Sequence, residues 1–293
     1  MLEITRIIPV TPDREIRLVE AGRPDGIPVL ALHGTPGSGL LYGPWIEDAR
    51  QRGIRLLSYD RPGYGGSTPD PGRSVASAAA DVRALAAALG IPRLCVWGVS
   101  GGGPHALACA ARLPDLVAAA AALAAPAPYP SDGLEWFAGM GESNIIEFGA
   151  ALEGLAALEQ FVTAATAGLL AGGAQAFLDE FRSLLCPPDV AVLDADFAAF
   201  LMDSVAAGIK DQTDGWLDDD FAFVKPWDCD LDQIRIPLLL VHGHQDQMVP
   251  FAHGQWLARH LPQAEAWLLP DDGHLTLSAR RVAEVHGWLL EHW

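Results

Sequence analysis

Residues 98–102 read GVSGG and join an apolar, β-rich run at 94–99 to a helical pattern at 104–113. This is a G-x-S-x-G motif in the context that the motif requires, with a strand directly before it and a helix directly after it. Glycines at both ends leave room for the strand and the helix to close on each other, while the sharp turn lifts the Ser100 hydroxyl clear of the sheet edge. The stretch therefore predicts a nucleophilic serine on a strained turn. A plain glycine-rich turn is the alternative.

Two later loops supply the groups that a serine nucleophile needs. A serine hydroxyl is a weak nucleophile at neutral pH, so it requires a base within hydrogen-bond reach and a third group that holds the base. His274 follows a predicted strand at 264–269, and Asp246 follows a predicted strand at 237–242. The interpretation is that His274 acts as the general base and that Asp246 orients it.

Neighbouring residues in both loops are alternatives for these roles. His242 and His244 lie in sequence beside the expected acid, and a histidine on the next loop is better placed to meet that acid. Asp271 and Asp272 share a loop with the expected base. Neighbours that close rarely point at the far side of the imidazole, so these four residues are less favoured.

The motif at 98–102 and the chain order serine, aspartate, histidine resemble the α/β-hydrolase family, and the likeness covers nearly the whole chain. Residues 33–37, HGTPG, look like the family's oxyanion-hole loop. Residues 59–67, YDRPGYGGS, look like its strand-to-loop signature. The resemblance implies catalysis through a covalent acyl-enzyme on Ser100.

The same resemblance implies an oxyanion hole made of backbone N–H groups. Two donors are needed, and Pro36 has no N–H, so Thr35 and Gly101 are the expected pair. His33 and Asp60 belong to the two family-like loops and are expected to brace them.

Short apolar runs bounded by turn residues alternate with helical patterns along most of the chain. This alternation predicts parallel strands joined by helical crossovers, with both faces of the sheet buried. The predicted strands lie at 4–10, 16–20, 29–32, 54–59, 94–99, 116–124, 237–242 and 264–269. The predicted helices lie at 74–89, 104–113, 252–260 and 280–291. The expected fold is an α/β fold with a mostly parallel central sheet, flanking helices and an inserted helical lid.

The stretch from 128 to 232 interrupts this alternation and differs in charge. It holds 20 acidic residues against three basic ones, whereas the rest of the chain holds 17 acidic and 16 basic residues. We therefore expect an α/β-hydrolase core at 1–127 and 233–293 and an acidic helical lid at 128–232. Its acids are expected to form a solvated outer face. Its aromatic residues, Phe177 among them, are expected to form a small core, with a few facing the cleft.

Composition and charge argue against several classes of partner. The formal net charge of −18 argues against a nucleic-acid partner, because phosphate binding needs a basic face. The four cysteines are far apart and have no metal-ligand spacing, so neither disulfides nor a metal is needed. No cofactor is expected. The alanine-rich run at 118–125 is too short to span a bilayer, and the first residues lack a secretory h-region. A cytoplasmic protein with a small-molecule substrate is expected, and its oligomeric state stays open.

One fold of this kind hosts many reactions, so the reaction class depends on the site. Haloalkane dehalogenases and epoxide hydrolases of this fold attack with a carboxylate, and the serine at the motif argues against both. Hydrolysis of carboxylic esters with small to medium apolar groups, by a carboxylesterase-like serine hydrolase, is the leading function.

Other functions stay open as alternatives. The main one is an aminopeptidase of the proline-iminopeptidase type, in which acidic lid groups hold the substrate amine. Those enzymes usually carry HGGPG and GGSWG where this chain has HGTPG and GVSGG. Carbon–carbon hydrolases, cofactor-free perhydrolases and a non-catalytic binding protein are further alternatives.

Overall fold

The computed structural model describes residues 3–171 and 181–293, and its strands pair into one eight-stranded sheet. The strands are β1 (Ile4–Thr11), β2 (Arg14–Gly22), β3 (Ile27–Leu32), β4 (Ile54–Tyr59), β5 (Leu94–Val99), β6 (Val117–Leu123), β7 (Leu238–Gly243) and β8 (Glu265–Leu269). Their order is β1-β2-β4-β3-β5-β6-β7-β8. The β1–β2 and β2–β4 pairs are antiparallel, and every later pair is parallel. The predicted, mostly parallel sheet is therefore confirmed.

Apolar residues on both faces of the central strands hold this sheet in place. In β5, Leu94 and Val96 belong to one buried cluster, while Cys95 and Trp97 belong to another. Successive side chains of a strand point to opposite faces, so the two clusters lie on opposite sides of the sheet. Both faces are covered, as a parallel sheet requires.

Helices cover the two faces. Those outside the β6–β7 connection are α1 (Gly43–Arg52), α2 (Ala78–Ala88), α3 (Gly102–Arg112), α9 (Phe251–His260) and α10 (Val282–Glu291). Helices α2, α3 and α9 pack on one face, and α1 and α10 pack on the other. The sequence analysis did not predict α1, because Trp45, Ile46 and Ala49 are its only buried residues and charged residues surround them. Within the described ranges, no helix is both long and apolar enough to cross a membrane.

A helical segment joins β6 to β7, and we call residues 128–232 the insertion. Among the described residues, its helices are α4 (Glu142–Glu153), α5 (Leu155–Ala171), α6 (Pro187–Val192), α7 (Ala195–Ile209) and α8 (Asp214–Phe223). A separate apolar cluster, which includes Leu158, Val162 and Trp216, lies among these helices. Phe177 lies outside the described residues.

The acids of the insertion do not all face solvent. Glu147, Asp189, Asp219 and Asp220 are buried. A buried carboxylate costs several kcal/mol unless it is paired, hydrogen-bonded or protonated, so each must meet a partner or change its pKa. The expectation of a solvated outer face is wrong for these four residues.

Candidate active site

Ser100 lies on the turn between β5 and α3, at the carboxyl end of its strand. Its φ of 54° places it in the left-handed region, which costs a residue with a Cβ about 1–2 kcal/mol. The surrounding backbone holds it there: Ser100 N–H donates to the Leu123 carbonyl at 2.8 Å, and Gly103 N–H donates to the Ser100 carbonyl at 2.8 Å. Strain of this kind is typical of a functional turn.

Glycines at both ends of the motif allow the turn to close. A Cβ at Gly98 would collide with the backbone carbonyl of Gly102, and a Cβ at Gly102 would collide with the backbone carbonyl of Leu32. Any side chain at either position would push the strand and the helix apart. The glycines therefore have the packing role that the sequence predicts.

Asp246 and His274 meet although 28 positions separate them in the chain. His274 Nδ1 lies 2.8 Å from Asp246 Oδ2, and both residues are buried. The other oxygen, Oδ1, accepts backbone N–H bonds from Met248 at 2.9 Å and Val249 at 2.8 Å. The carboxylate is thus held in one orientation. Because it accepts from Nδ1, the neutral imidazole has its lone pair on Nε2, where a base needs it.

The surroundings of His274 set its pKa. Burial lowers the pKa, but the charge of Asp246 and the hydrogen bond from Nδ1 outweigh burial, and the pKa lies above the ordinary value of 6.5. Activity that depends on the neutral ring would therefore appear only above the pH at which an ordinary histidine loses its proton.

Of the alternative residues, His242 also lies near the acid, with its Nε2 3.7 Å from Asp246 Oδ2, but its hydrogen bond goes elsewhere. His242 Nε2 donates to the Val249 carbonyl at 2.8 Å, and burial lowers the pKa of His242. His244 is exposed, with its ring 4.4 Å from the ring of Phe251. Asp272 pairs with Arg281 at 2.8 Å, and Asp271 is exposed.

The loop after β3 adjoins the nucleophile turn. A Cβ at Gly34 would lie 3.4 Å from Ser100 Cβ, and a Cβ at Gly101 would collide with Thr35 Oγ1. Thr35 and Gly101 thus lie next to each other beside Ser100, as the expected pair of oxyanion donors should. His33 braces this loop as expected, because its Nδ1 donates to the Gly34 carbonyl at 2.7 Å.

A buried carboxylate of the insertion organises this region, and the sequence analysis missed it. Asp219, in α8, pairs with Arg61 and Arg73 at 2.6 Å each and accepts a 2.9 Å hydrogen bond from Tyr64. Burial raises the pKa of Asp219, but the two guanidinium groups pull it well below its usual value. Asp219 stands in a run of three acids at 218–220, and nothing in the sequence distinguishes it from the exposed acids of the insertion.

Asp60 has a parallel role in the strand-to-loop signature. Its carboxylate accepts a 2.7 Å bond from Gly39 N–H and a 3.0 Å bond from Gly66 N–H, and it pairs with Arg17 at 3.1 Å. These contacts brace two loops, as the sequence predicts for Asp60.

Ser100 and His274 line one cavity of about 130 Å³. Apolar side chains dominate its wall, with Trp97 and Met248 from the core and Phe200 from the insertion. Ser100 Oγ and the His274 ring are not hydrogen-bonded to each other in the described part of the chain. Such catalytic contacts are often long without substrate and tighten in the substrate complex.

Two smaller cavities also include Ser100 in their walls. They measure about 60 and 40 Å³, and both include Thr35 and Glu147 in their walls. The smaller one also includes Asp220. Asp220 is buried next to Glu147.

Comparisons with known proteins agree with this architecture. The sequence model of the α/β hydrolase fold family matches residues 27–278. The pimeloyl-[acyl-carrier protein] methyl ester esterase of Nitrosomonas europaea is 28% identical over 85% of this chain and 89% of its own. The proline iminopeptidase of Neisseria meningitidis serogroup B is 26% identical over 87% of this chain and 86% of its own. The non-heme chloroperoxidase of Streptomyces lividans is 29% identical over 79% of this chain and 78% of its own.

Solved structures show the same fold. A thermophilic esterase from Thermogutta terrifontis superposes with a TM-score of 0.71 at 20% identity, with all of both chains covered. The family match covers most of the chain, and the sheet has the matching mostly parallel topology. The protein therefore belongs to the α/β hydrolase fold family.

Proposed function

We propose that the protein is a serine hydrolase that cleaves carboxylic esters with small to medium apolar groups. The observation that carries the proposal is the cavity that Ser100 and His274 share, with its predominantly apolar wall. Ligand sites are commonly of this kind, an apolar pocket with a few polar groups that converge on the reacting atoms.

In the proposed reaction, His274 Nε2 takes the proton of Ser100 Oγ as this oxygen attacks the ester carbonyl carbon. The backbone N–H groups of Thr35 and Gly101 bind the oxyanion that forms. Collapse of the intermediate breaks the ester C–O bond, and protonated His274 gives its proton to the leaving alkoxide. Water, deprotonated by the same imidazole, then attacks the acyl-enzyme and releases the acid and free Ser100.

We further propose that the insertion, residues 128–232, is a lid over a core made of residues 1–127 and 233–293. Support comes from the cavity wall, to which the insertion contributes Leu185, Phe200 and Leu201. The insertion would therefore select the acyl or alcohol group, while the core carries the reacting side chains.

A second candidate, an aminopeptidase of the proline-iminopeptidase type, is favoured by Glu147 and Asp220. Both are buried carboxyl groups of the insertion in the wall of a cavity that reaches Ser100. Burial and the neighbouring Glu147 raise the pKa of Asp220 well above its usual value. A raised pKa favours the neutral form of this carboxyl group, and a neutral carboxyl group attracts an ammonium less than a carboxylate does, so ester hydrolysis stays the first proposal.

A substrate panel separates the two candidates. Wild-type kcat/KM is measured with p-nitrophenyl acyl esters and with aminoacyl p-nitroanilides, each anilide with a free and an acetylated amine. An esterase should prefer the neutral esters, and Asp220→Asn should leave that preference in place. A preference for free-amine anilides that Asp220→Asn abolishes would replace the ester reading by the aminopeptidase. Ser100→Ala in each assay shows that the turnover belongs to this site.

A further inference from the structure

We infer that Asp189, in α6 of the insertion, is a positioning residue for the catalytic base, and that it couples the insertion to His274. This inference rests on the proposed function, because it assigns Asp189 a role only if His274 is the base. Asp189 is fully buried and lies 85 positions before His274 in the chain.

The Asp189 carboxylate binds three consecutive backbone N–H groups. Its Oδ2 accepts from His274 at 3.0 Å, and its Oδ1 accepts from Leu275 at 2.7 Å and from Thr276 at 3.0 Å. These amides lead into the helical turn Leu277–Arg281, and the first amides of a helix have no partner within it. A carboxylate at this end also suits the helix dipole. Asp189 of the insertion thus caps the helical turn that follows the loop of His274, which we call the histidine loop.

Cys186 and Gly273 pack closely around the Asp189 carboxylate. Helix α6 begins at Pro187, and Cys186 Sγ–H donates to Asp189 Oδ2 at 3.2 Å. A Cβ at Gly273 would collide with both Cys186 Sγ and the Asp189 carboxylate. A glycine directly before His274 is therefore what allows the loop to approach the insertion.

Two aspartates from different parts of the chain thereby hold one histidine. Asp246 binds the Nδ1 side of the ring, whereas Asp189 binds the backbone on which the ring is mounted. Displacement of a catalytic group by about 1 Å can cost on the order of 10²-fold in rate. A change at Asp189 should therefore reach the reaction through the position of the imidazole.

Charge gives a readout that a purely structural contact would not move. The titratable groups that act on His274 are Asp246 from the loop after β7, Asp189 from the insertion and His242 from β7, and Cys186 binds Asp189. Burial lowers the pKa of His274, Asp246 raises it most, and Asp189 raises it further. Neutralising Asp189 should lower this pKa and shift the acid limb of the pH profile toward lower pH.

The test compares Asp189→Asn with Asp194→Asn. Asp194 caps the neighbouring helix α7 through Phe197 N–H at 2.9 Å, so its loss removes an aspartate cap of the insertion away from the histidine loop. We expect Asp189→Asn to lower kcat by about 10²-fold with KM little changed. NMR titration of the His274 ring should show a lowered pKa. The control should match wild type in both measurements.

Two further measurements keep the inference testable. Hydrogen exchange on wild type should show strong protection of the amides of residues 274–276, which requires no variant. Fluorophosphonate labelling of Ser100 in wild type reports on the proposed function alone. Unchanged kcat and unchanged His274 titration in Asp189→Asn, or amides that exchange as fast as an exposed loop, would overturn the role of Asp189.

Discussion

Thr35 Oγ1 donates a 2.6 Å hydrogen bond to Asp219, which lies 184 positions later in the chain. Thr35 belongs to the loop that we propose supplies an oxyanion donor, and Asp219 belongs to the insertion. On the other side of the site, Asp189 of the insertion binds the backbone of His274. Two buried carboxylates thus connect the insertion to both halves of the proposed catalytic machinery. We expect the insertion to be part of the catalytic unit as well as its cover.

Replacement of Asp219 by Asn should destabilise the protein strongly. The change removes the charge that faces Arg61 and Arg73, and an uncompensated buried charge costs about 3–5 kcal/mol. Urea unfolding at pH 7 measures the free energy of unfolding. The control is Asp115→Asn, which breaks an exposed pair with Arg83 and should leave the midpoint unchanged. Equal midpoints for the two variants would contradict a stabilising role for Asp219.

Two substitutions at Ser100 should separate chemistry from backbone strain. Ser100→Ala and Ser100→Gly both remove the hydroxyl, so kcat should fall on the order of 10⁴-fold or more, and fluorophosphonate labelling should disappear. The φ of 54° strains alanine but suits glycine. Glycine loses more chain entropy than alanine on folding, which offsets part of this advantage. The glycine variant should still be about 0.5–1 kcal/mol more stable than the alanine variant. Labelling that survives in both variants would reject the nucleophile, and equal stability would reject the strain.

The pH dependence of wild-type kcat/KM should show a base with a raised pKa. His274 must be neutral to accept the serine proton, and its pKa lies above 6.5, so activity should rise with pH through a midpoint above that value. In Asp246→Asn the charge that raises the pKa is gone and burial remains, so the midpoint of the residual activity should move to lower pH. A flat profile from pH 5 to 8 in wild type would contradict the role of His274.

His274→Ala and Asp246→Asn should not have independent effects. The first removes the base, and the second leaves the imidazole without the charge that orients it, which costs about 10⁴-fold in kcat in a serine protease triad. Because the two act as a unit, the double variant should lose far less than the product of the single losses. Single and double kcat values give the coupling directly, and losses that multiply would show that the two residues act separately.

Local patterns made most of the fold and the proposed triad predictable. The strand before Ser100, the helix after it and the strands before Asp246 and His274 are each visible within about ten residues of sequence. Parallel strands then bring their carboxyl ends to one edge of the sheet. The meeting of His274 and Asp246 at 2.8 Å follows from that geometry.

The contacts of the insertion could not be predicted in the same way. His274 lies 85 positions from Asp189, and Thr35 lies 184 positions from Asp219; a single sequence carries no signal for such pairs. Abundant acidic residues in helical patterns indicated a solvated face. The buried acids differ from the exposed ones only in their tertiary surroundings. Helix α1 was missed for a related reason, since its few buried residues make a weak pattern.

Acid should destabilise the protein through its buried, neutral histidines, and His253 gives the clearest case. Its Nδ1 accepts from Ala127 N–H at 3.1 Å, and its Nε2 donates to the Trp136 carbonyl at 2.8 Å, so the neutral ring joins the residue directly before the insertion to a residue within it. Burial is the largest effect and lowers the pKa of His253 from 6.5 to about 4. The unfolded chain therefore binds more protons between these values, and stability is lost as the pH falls from 6.5 to 4.

The difference in pKa is worth about 3 kcal/mol for His253 at pH 4, at 1.36 kcal/mol for each pKa unit. His274 has the opposite sign, because its raised pKa stabilises the folded state at low pH and that contribution is lost as the pH rises through its folded value. Urea unfolding of wild type and His253→Gln at pH 7 and at pH 4.5 measures the effect. The variant should be less stable at pH 7 but should lose less on acidification. An equal loss on acidification in wild type and His253→Gln would show that His253 titrates alike in the folded and the unfolded chain.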